Sequence, residues 1–446
     1  MKLLLKNGRV INPANNLDEV CDILVENTRI SKVGKAITNN ADEILQPFGL
    51  QDDRSGNSPT CQVIDCGGKI VMPGIVDMHV HLREPGREDK ETVATATMAA
   101  LKGGVTTVLA MPNTEPAIDC VENLRLLKAI IEKTANANVL VSGAITVGRL
   151  GRELTDIARL RKEGVMAITD DGSSVEDNGL FSMALRKARE AKVLVICHCE
   201  DKSLSGNGVV NRGLIATRLG LRGISCESEY KRLQRDIQLA EKSRCPVHIA
   251  HVSCAESVEI IAGAKKKGLK VSCETAPHYF ALTEEAVLEY DTNMKMNPPL
   301  RSKNDAQAIK QGLSRGVIDV IASDHAPHTI SEKEIEFDRA EFGVIGLETE
   351  LAVSITEMVH TGLLSWVELA RKMCFNPARI LGIDKGTLNV GSAADIIVVS
   401  ADQEWLLQKE GIVSKSKNSP FIGKRFKGIV EYTICNGKIT AYQRTG

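Results

Sequence analysis

The middle of the chain alternates buried-strand patterns with helical patterns, and this regularity constrains the fold more than any other feature. Apolar, β-branched runs recur between residues 75 and 328, with helical patterns such as 121–134 and 255–267 between them. Runs that are apolar throughout indicate parallel strands covered by helices. The predicted strands are 75–82, 105–112, 139–146, 165–171, 193–201, 247–253, 270–278 and 317–328.

This pattern predicts an α/β protein whose core is a (β/α)8 TIM barrel. Eight strand–helix units within about three hundred residues fit a closed barrel better than an open doubly wound sheet. An open sheet that binds nucleotides would carry a glycine-rich phosphate loop. Neither GxGxxG nor GxxxxGK[ST] follows any of the predicted strands.

Both ends of the chain have a different pattern, with short alternating strands and Asn-Gly or Gly-Gly turns. Because chain termini often lie close together, residues 1–73 and 386–446 are predicted to form one small β-sandwich domain around a barrel at 74–385. Residues 46–59 are rich in Asp, Gly, Ser, Asn and Pro. They predict an exposed loop without a catalytic part.

Charge and composition exclude several classes of partner. Lys and Arg number 56 against 57 acidic residues, so the basic surface that nucleic-acid binding needs is absent. No apolar run is long enough to span a membrane, and the first one is broken at Lys6, too early for a signal peptide. The 12 cysteines are scattered without paired CxxC motifs. They predict small buried hydrophobic residues in a reducing, cytoplasmic compartment.

Polar side chains gather at the carboxyl ends of the predicted strands, where barrel enzymes carry their chemistry. Such groups are costly near a core unless something satisfies them. His79 and His81 are two residues apart in a strand, so both face the same way and can chelate one cation. The candidate ligands at these strand ends are His79, His81, Asp171, His198, His251 and Asp324.

Six ligands are too many for one tetrahedral zinc ion and suit two adjacent ions. Two dications repel each other at a few ångströms, so a bridging anion is needed, and Asp171 is the candidate. Nitrogen and carboxylate ligands without thiolate fit Zn²⁺ best, with Mn²⁺ or Co²⁺ as replacements. The predicted first ion takes His79, His81 and Asp324, and the second takes His198 and His251.

Neighbouring polar residues are expected to have other roles. Strand alternation predicts that Asp170 points away from the site and that His248 faces opposite to His251. His325 is expected to orient Asp324 from behind.

Several short segments carry a family resemblance. They are PGIVDMHVHLREPG (73–86), MPNT (111–114), TDDG (169–172), HCED (198–201), IAHVS (249–253), MNPPLR (296–301), SDHAPH (323–328) and FGVIGLET (342–349). In this combination and order they resemble the dihydroorotases of the bacterial long-chain type (class I), within the amidohydrolase superfamily. The histidine pair alone would indicate only the superfamily.

The resemblance implies the reversible cyclisation of N-carbamoyl-L-aspartate to L-dihydroorotate with loss of water, a step of de novo pyrimidine biosynthesis. It implies two Zn²⁺ ions per subunit, bridged by Asp171 and by a hydroxide that attacks the ring amide carbonyl in the hydrolytic direction. The ions would also stabilise the oxyanion. Asp324 would be the general acid/base, passing the proton to the leaving ring nitrogen.

Arg83 is the predicted anchor for the free carboxylate of this small-molecule substrate. It follows His81 by two residues and so points into the same mouth, and a guanidinium can bind a carboxylate through two parallel hydrogen bonds. The alternative is a surface salt bridge with Glu84 or Glu88.

The resemblance implies further substrate contacts, to the carboxylate from Asn113 and His328 and to the pyrimidine ring from Asn297, Phe342 and Gly343. Asn113 has the alternative of capping a turn. The chain between residues 328 and 342 is charged and polar, and it is expected to form an irregular, mobile flap over the site.

Strand four departs from many relatives, including hydantoinases and the animal dihydroorotase, which bridge their metals with a carboxylated lysine. Here the strand ends in Asp170-Asp171, and the nearest lysine, Lys162, belongs to the preceding helix. Carbon dioxide should therefore not be needed for assembly. A hydantoinase or allantoinase is the alternative enzyme, but it predicts a lysine on strand four and no arginine in the position of Arg83.

A non-catalytic, dihydroorotase-like partner of aspartate carbamoyltransferase is the alternative from another class. Such chains typically lose metal ligands, whereas all six candidates are present here. A homodimer is expected from the frequency of such assemblies. A complex with aspartate carbamoyltransferase stays open.

Overall fold

The computed structural model describes residues 2–37 and 61–442. The predicted loop at 46–59 lies outside the described residues. The strands, numbered in chain order, are β1 (Lys2–Asn12), β2 (Leu17–Glu26), β3 (Arg29–Gly34), β4 (Cys61–Asp65), β5 (Ile70–Pro73), β6 (Ile75–Val80), β7 (Val105–Ala110), β8 (Asn138–Gly143), β9 (Ala167–Ile168), β10 (Leu194–Cys197), β11 (Val210–Asn211), β12 (Gly223–Ile224), β13 (Val247–Ile249), β14 (Val271–Thr275), β15 (Val320–Ile321), β16 (Ile396–Leu406), β17 (Arg425–Cys435) and β18 (Lys438–Tyr442).

The α-helices are α1 (Val93–Lys102), α2 (Val121–Thr134), α3 (Ile157–Lys162), α4 (Asn178–Ala191), α5 (Lys202–Ser205), α6 (Leu214–Leu219), α7 (Cys226–Ser243), α8 (Ala255–Lys266), α9 (Pro277–Ala281), α10 (Lys303–Ser314), α11 (Ile330–Lys333), α12 (Glu350–Ser354), α13 (Trp366–Ala370) and α14 (Asn376–Leu381). Among the described helices, none combines the length and apolar character needed to cross a membrane.

Eight parallel strands form the predicted barrel, in the order β6-β7-β8-β9-β10-β13-β14-β15. The first and last strands close on each other through a parallel bridge between Val80 and His325, where the His81 amide donates to the His325 carbonyl at 2.9 Å. The TIM-barrel prediction is therefore confirmed. The observed strands are shorter than the predicted ones because their carboxyl ends turn into loops that carry the site.

Apolar side chains fill the barrel axis, as expected for a packed core rather than a pore. They alternate with side chains that pack under the helix layer; in β6, for example, Val76 and Met78 face the axis while Ile75 and Val80 face outward. The axial cluster comprises Val76, Met78, Leu109, Met111, Ala167, Ile196, Ala250, Val320 and Ala322, with Ala378 and Leu381 of α14 packed against it.

The two ends of the chain share a second eight-stranded sheet, in the order β18-β17-β16-β5-β1-β2-β3, with β4 also paired to β1. Antiparallel pairing of β5 with β16 joins the amino-terminal strands to the carboxyl-terminal ones. This confirms a β-rich unit built from both termini. The boundaries at 73/74 and 385/386 stay a prediction.

Candidate active site

Four of the predicted ligands meet at the mouth of the barrel. His79 and His81, at the end of β6, turn their Nε2 atoms toward Asp171, at 3.3 and 3.5 Å from its carboxylate oxygens. Asp324 follows β15, and its Oδ1 lies 3.5 Å from His79 Nε2 and 3.4 Å from His81 Nε2. We call His79, His81 and Asp171 the first ligand group. Asp324 lies on its open side.

Asp171 also belongs to a second ligand group, which it forms with His198 and His251. His198 Nδ1 lies 2.8 Å from His251 Nε2, and these two atoms lie 3.5 and 3.7 Å from Asp171 Oδ1. Burial opposes the ionisation of Asp171, but the surrounding imidazoles more than offset it and hold the pKa of the carboxyl well below its ordinary value. A carboxylate between two imidazole pairs is the arrangement expected of a bridging ligand.

Two buried atoms at the centre of this arrangement lack a hydrogen-bond partner among the described residues: His79 Nε2 and Asp171 Oδ1. Leaving a buried polar atom unpaired costs about 1–3 kcal/mol. A divalent cation between the imidazole and the carboxylate satisfies both atoms. The nitrogen and oxygen donors, with no thiolate among them, suit zinc. The residues present therefore fit a metal centre.

A polar relay beneath the first ligand group fixes the orientation of His79. His79 Nδ1 lies 2.6 Å from Glu274 Oε1, and Glu274 Oε2 lies 3.1 Å from His248 Nε2, whose Nδ1 is 2.8 Å from Ser272 Oγ. Because a carboxylate only accepts, Nδ1 of His79 carries the proton and Nε2 keeps its lone pair for a metal. Glu274 was not predicted from the sequence, although strand alternation in β14 places it and Ser272 inward.

The prediction that His248 and His251 face opposite ways is wrong. His251 lies two residues past the end of β13 and has a φ of 34°, so strand alternation no longer applies to it. Asp324 and Arg83 also have positive φ values, 49° and 62°. Left-handed backbone at a non-glycine residue costs about 1–3 kcal/mol and persists mainly where a functional site requires it.

Arg83 and His328 form a cationic pocket beside the ligand groups. Lys90 Nζ lies 3.2 Å from His328 Nδ1, so this ring nitrogen accepts from the ammonium. The ring proton of His328 is therefore on Nε2, which donates to the Phe342 carbonyl at 2.8 Å. Arg83 Nε donates to the Pro327 carbonyl at 3.1 Å. Its outer nitrogen faces His328 Nε2 at 3.2 Å. Two donors cannot satisfy each other, so the guanidinium is left to bind an anion.

The alternative of a surface salt bridge for Arg83 is not supported. Glu84 accepts from the Val93 amide and Glu88 from the Gly86 amide, both at 2.8 Å. Desolvation lowers the pKa of Arg83 to about 10, so the side chain remains charged near neutral pH.

Asn113 contacts the first ligand group directly, and Asn297 reaches the second through Glu200. Asn113 Oδ1 lies 2.8 Å from His81 Nδ1, which directs His81 Nε2 toward the site and leaves the amide nitrogen available to a substrate. Asn297 Nδ2 donates to Glu200 at 3.1 Å, and the same oxygen lies 3.3 Å from His198 Nε2. Glu200 was not predicted, although it follows His198 at the spacing that relates His81 to His79.

The segment between residues 328 and 342 is packed, in contrast to the irregular flap expected from its composition. It contains the short helix α11, and Lys333 at the end of that helix donates to the Gly343 carbonyl at 3.0 Å. Lys295 donates to the Phe337 carbonyl at 2.8 Å, and the Phe337 ring is buried. Lys333 therefore fixes the backbone at Gly343, and Lys295 fixes the same segment at Phe337.

His325 does not orient Asp324, so that prediction is wrong. Its Nδ1 accepts from the Gly346 amide at 3.2 Å, and its Nε2 faces Glu91 at 3.5 Å, on the far side of the strand. Asp170 does point away from the site, as predicted, and its carboxylate accepts from the backbone amides of Ile145 and Thr146, in the loop after β8.

Comparison with known proteins identifies relatives of this chain. Residues 68–257 match the family model described as Dihydro-orotase-like. The chain is 49% identical to the dihydroorotase of Elusimicrobium minutum, over 98% of this chain and 97% of that protein. It is 46% identical to the dihydroorotase of Geobacter metallireducens, over 100% of each. The solved structure of L-hydantoinase (dihydropyrimidinase) from Arthrobacter aurescens matches with a TM-score of 0.86 at 25% identity, over 99% of this chain and 96% of that one.

Proposed function

The chain belongs to the dihydroorotase family, and from this premise we propose how its own residues carry out the family's reaction. That reaction is the reversible cyclisation of N-carbamoyl-L-aspartate to L-dihydroorotate and water, in pyrimidine biosynthesis. The observation that carries the proposal is the pairing of two features. A buried carboxylate, Asp171, is shared by two ligand groups, and the Arg83 guanidinium, anchored through Nε to the Pro327 carbonyl, lies beside them.

We propose that the two ligand groups hold two zinc ions, with Asp171 between them. When bound, such ions supply Lewis acidity that lowers the pKa of a shared water and polarises the reacting carbonyl. The chain's part is to fix the donors. Glu274 accepts a hydrogen bond from His79 Nδ1, and Asn113 Oδ1 accepts one from His81 Nδ1, so that both Nε2 lone pairs face one point.

Asp324 is proposed as the general acid/base. It is the most exposed of the four carboxylates and imidazoles at the first group, with 12% of its side chain accessible, so a substrate can reach it. In the hydrolytic direction it accepts the proton of the attacking water and delivers it to the leaving ring nitrogen. In the cyclising direction the same carboxyl carries the proton the other way.

The cationic pocket is proposed to bind the substrate carboxylate. Arg83 offers its outer guanidinium nitrogens, and the free amide nitrogen of Asn113 faces the same mouth. His328 lines the pocket, while Asn297 and the Phe342–Gly343 backbone border the space for the ring. A hydantoin or allantoin ring has no carboxylate to place there, so this pocket favours dihydroorotate.

Zinc as the natural metal, a homodimer and a cytoplasmic location complete the proposal. Zinc is supported by the donor set, and the dimer by its frequency among soluble oligomers. No disulfide joins the cysteines of the described residues, which supports a reducing compartment. A complex with aspartate carbamoyltransferase is tested by co-purification of the two proteins.

Replacement of Arg83 tests the assignment of the substrate pocket. Arg83→Ala removes charge-assisted hydrogen bonds worth about 1.5–3 kcal/mol, so KM for dihydroorotate should rise roughly 10- to 100-fold. Arg83→Lys should recover little, because an ammonium cannot bind a carboxylate through two parallel bonds. Arg87→Ala is the matched control, since that guanidinium pairs with Asp89 and Glu332 instead. An unchanged KM in Arg83→Ala would remove Arg83 from the pocket.

A further inference from the structure

Two cysteines and a glutamate meet where α7 and α8 begin, and none of the three belongs to either ligand group. Cys226 is the first residue of α7, and Cys254 is the N-cap residue of α8. Their sulfurs and a carboxylate oxygen of Glu256 all lie within 4.8 Å of one another. Cys254 is buried, Cys226 is half-buried and Glu256 is exposed, so the cluster opens toward solvent on one side.

The surroundings of this dithiol cluster stabilise negative charge on sulfur. Both cysteines lie at helix N-termini, where the partial positive charge of the helix favours a thiolate. A hydrogen bond from the Cys254 thiol, together with the nearby Arg301 guanidinium, lowers the pKa of Cys226. The same hydrogen bond raises the pKa of Cys254 well above its ordinary value, so Cys226 is the sulfur that ionises first.

Buried polar groups hold Cys254 in place from behind. Its Sγ lies 3.1 Å from Ser257 Oγ and 3.5 Å from Glu229 Oε1. Glu229 in turn accepts from the Ser253 amide at 3.0 Å and pairs with Arg301 at 3.5 Å. Glu229 therefore balances the charge of Arg301.

We propose that Cys226, Cys254 and Glu256 form a third cation site, which takes a thiophilic divalent ion of the zinc type. Two thiolates and one carboxylate are three of the four ligands of a tetrahedral site, and the fourth position faces solvent beside Glu256. Zn–S bonds of about 2.3 Å place two sulfurs about 3.8 Å apart, which is compatible with ligand atoms that all lie within 4.8 Å of one another. Each thiol that binds the ion releases its proton to water. The ion would tie the start of α7 to the start of α8.

The chain supplies its own matched control for this proposal. Cys120 is also a half-buried N-cap residue, at the start of α2, and Glu122 follows it at the spacing that relates Glu256 to Cys254. Within residues 2–37 and 61–442, however, no second thiol or imidazole joins Cys120 and Glu122 in a group of three. A Cys120 variant therefore distinguishes the effect of one cysteine and one glutamate at a helix N-terminus from the effect of the complete cluster.

Cadmium titration of the zinc-loaded protein, after reduction with a phosphine, reads this site alone. The active-site ligand groups contain no sulfur, so a thiolate-to-cadmium charge-transfer band in the ultraviolet reports only on cysteines. We expect a band that saturates at one equivalent of cadmium. It should be lost in Cys226→Ser, weakened at least tenfold in affinity in Glu256→Gln, and unchanged in Cys120→Ser.

Three results would overturn the proposal. The first is the absence of a band at one equivalent, and the second is a band that persists in Cys226→Ser. The third is peptide mapping that finds Cys226 and Cys254 joined in a disulfide in freshly purified protein, since the pair would then be an oxidisable couple rather than a cation site. Glu256→Gln alters only an exposed side chain, so it keeps the test open if a cysteine variant fails to fold. Loss of dihydroorotate turnover is not a readout here, so the outcome is independent of the proposed function.

Discussion

Replacement of Glu274 by glutamine tests whether the relay beneath the site sets its affinity for metal. Glu274 contacts His79 Nδ1 at 2.6 Å and His248 Nε2 at 3.1 Å, and all three side chains are buried. Glutamine keeps the shape. Its oxygen can accept from His79, and its amide can donate to His248 once that ring donates from Nδ1 to Ser272. The substitution therefore removes the charge while leaving the fold intact.

The expected loss follows from the contact itself. Carboxylate partners of metal-bound histidines typically contribute 10- to 100-fold to metal affinity, which corresponds to about 1.4–2.7 kcal/mol. Only the first ligand group contains His79, so the zinc-binding phase of that group should weaken while the phase of the second ligand group keeps its midpoint. Zinc titration against a competing chelator measures both phases. Activity should return at saturating zinc.

Glu350→Gln is the control for this experiment. Glu350 is buried, and neither carboxylate oxygen has a hydrogen-bond partner among the described residues. Burial raises the pKa of Glu350 well above its ordinary value, so this carboxyl is already neutral and glutamine removes no charge. Wild-type zinc affinity in Glu274→Gln, or an equal loss in Glu350→Gln, would refute the reasoning about the relay.

Three further substitutions test separate parts of the molecule. Asp171→Ala removes the residue shared by both ligand groups, so bound metal, measured by elemental analysis, and activity should both be lost. The circular dichroism spectrum should remain that of the folded barrel. Retained metal would contradict the bridging role. Gly343→Ala places a methyl group 3.0 Å from His328 Nε2 at a φ of 132°, and KM for dihydroorotate should rise roughly 10- to 100-fold; wild-type KM would show that the pocket tolerates the shift. Burial opposes ionisation of Glu332, but Lys90 at 2.9 Å and other donors lower the pKa of this carboxyl. The ionised carboxylate therefore stabilises the folded protein above the unfolded pKa of about 4.3. This stabilisation is lost as the pH falls through the folded pKa. Glu332→Gln should therefore cost about 1 kcal/mol of unfolding free energy in urea at neutral pH and progressively less below about pH 4, whereas a pH-independent loss would contradict this.

The fold and the ligand positions could be predicted because two short-range rules decide them. Apolar periodicity identifies buried strands, and polar residues at the carboxyl ends of parallel barrel strands meet at one mouth. The spacing of His79 and His81 within one strand then fixes a shared direction. The same rule would have identified Glu274 and Glu200, which lie inward on their own strands. Neither glutamate belongs to a ligand group, so a pattern of metal ligands alone does not indicate them.

The errors arose where the backbone leaves the strand or where partners come from distant segments. Alternation fails at His251 because its φ is positive, and it says nothing about His325, whose partner Gly346 lies beyond the next loop. Lys333 is charged and would be expected at the surface, yet its side chain is buried. Backbone carbonyls that only the folded loop brings together accept hydrogen bonds from its ammonium group. The meeting of Cys226 with the start of α8 depends on helix packing in the same way.

Turnover by metal-depleted and zinc-reloaded protein tests the central claim most directly, with dihydroorotate, hydantoin and allantoin measured side by side. Zinc content is determined on the same samples. We expect no dihydroorotate turnover in depleted protein, recovery that saturates once both ligand groups hold zinc, and far slower turnover of the two rings that lack a carboxylate. Full activity without metal, or a preference for hydantoin over dihydroorotate, would contradict a zinc site bridged by Asp171 beside a carboxylate pocket formed by Arg83.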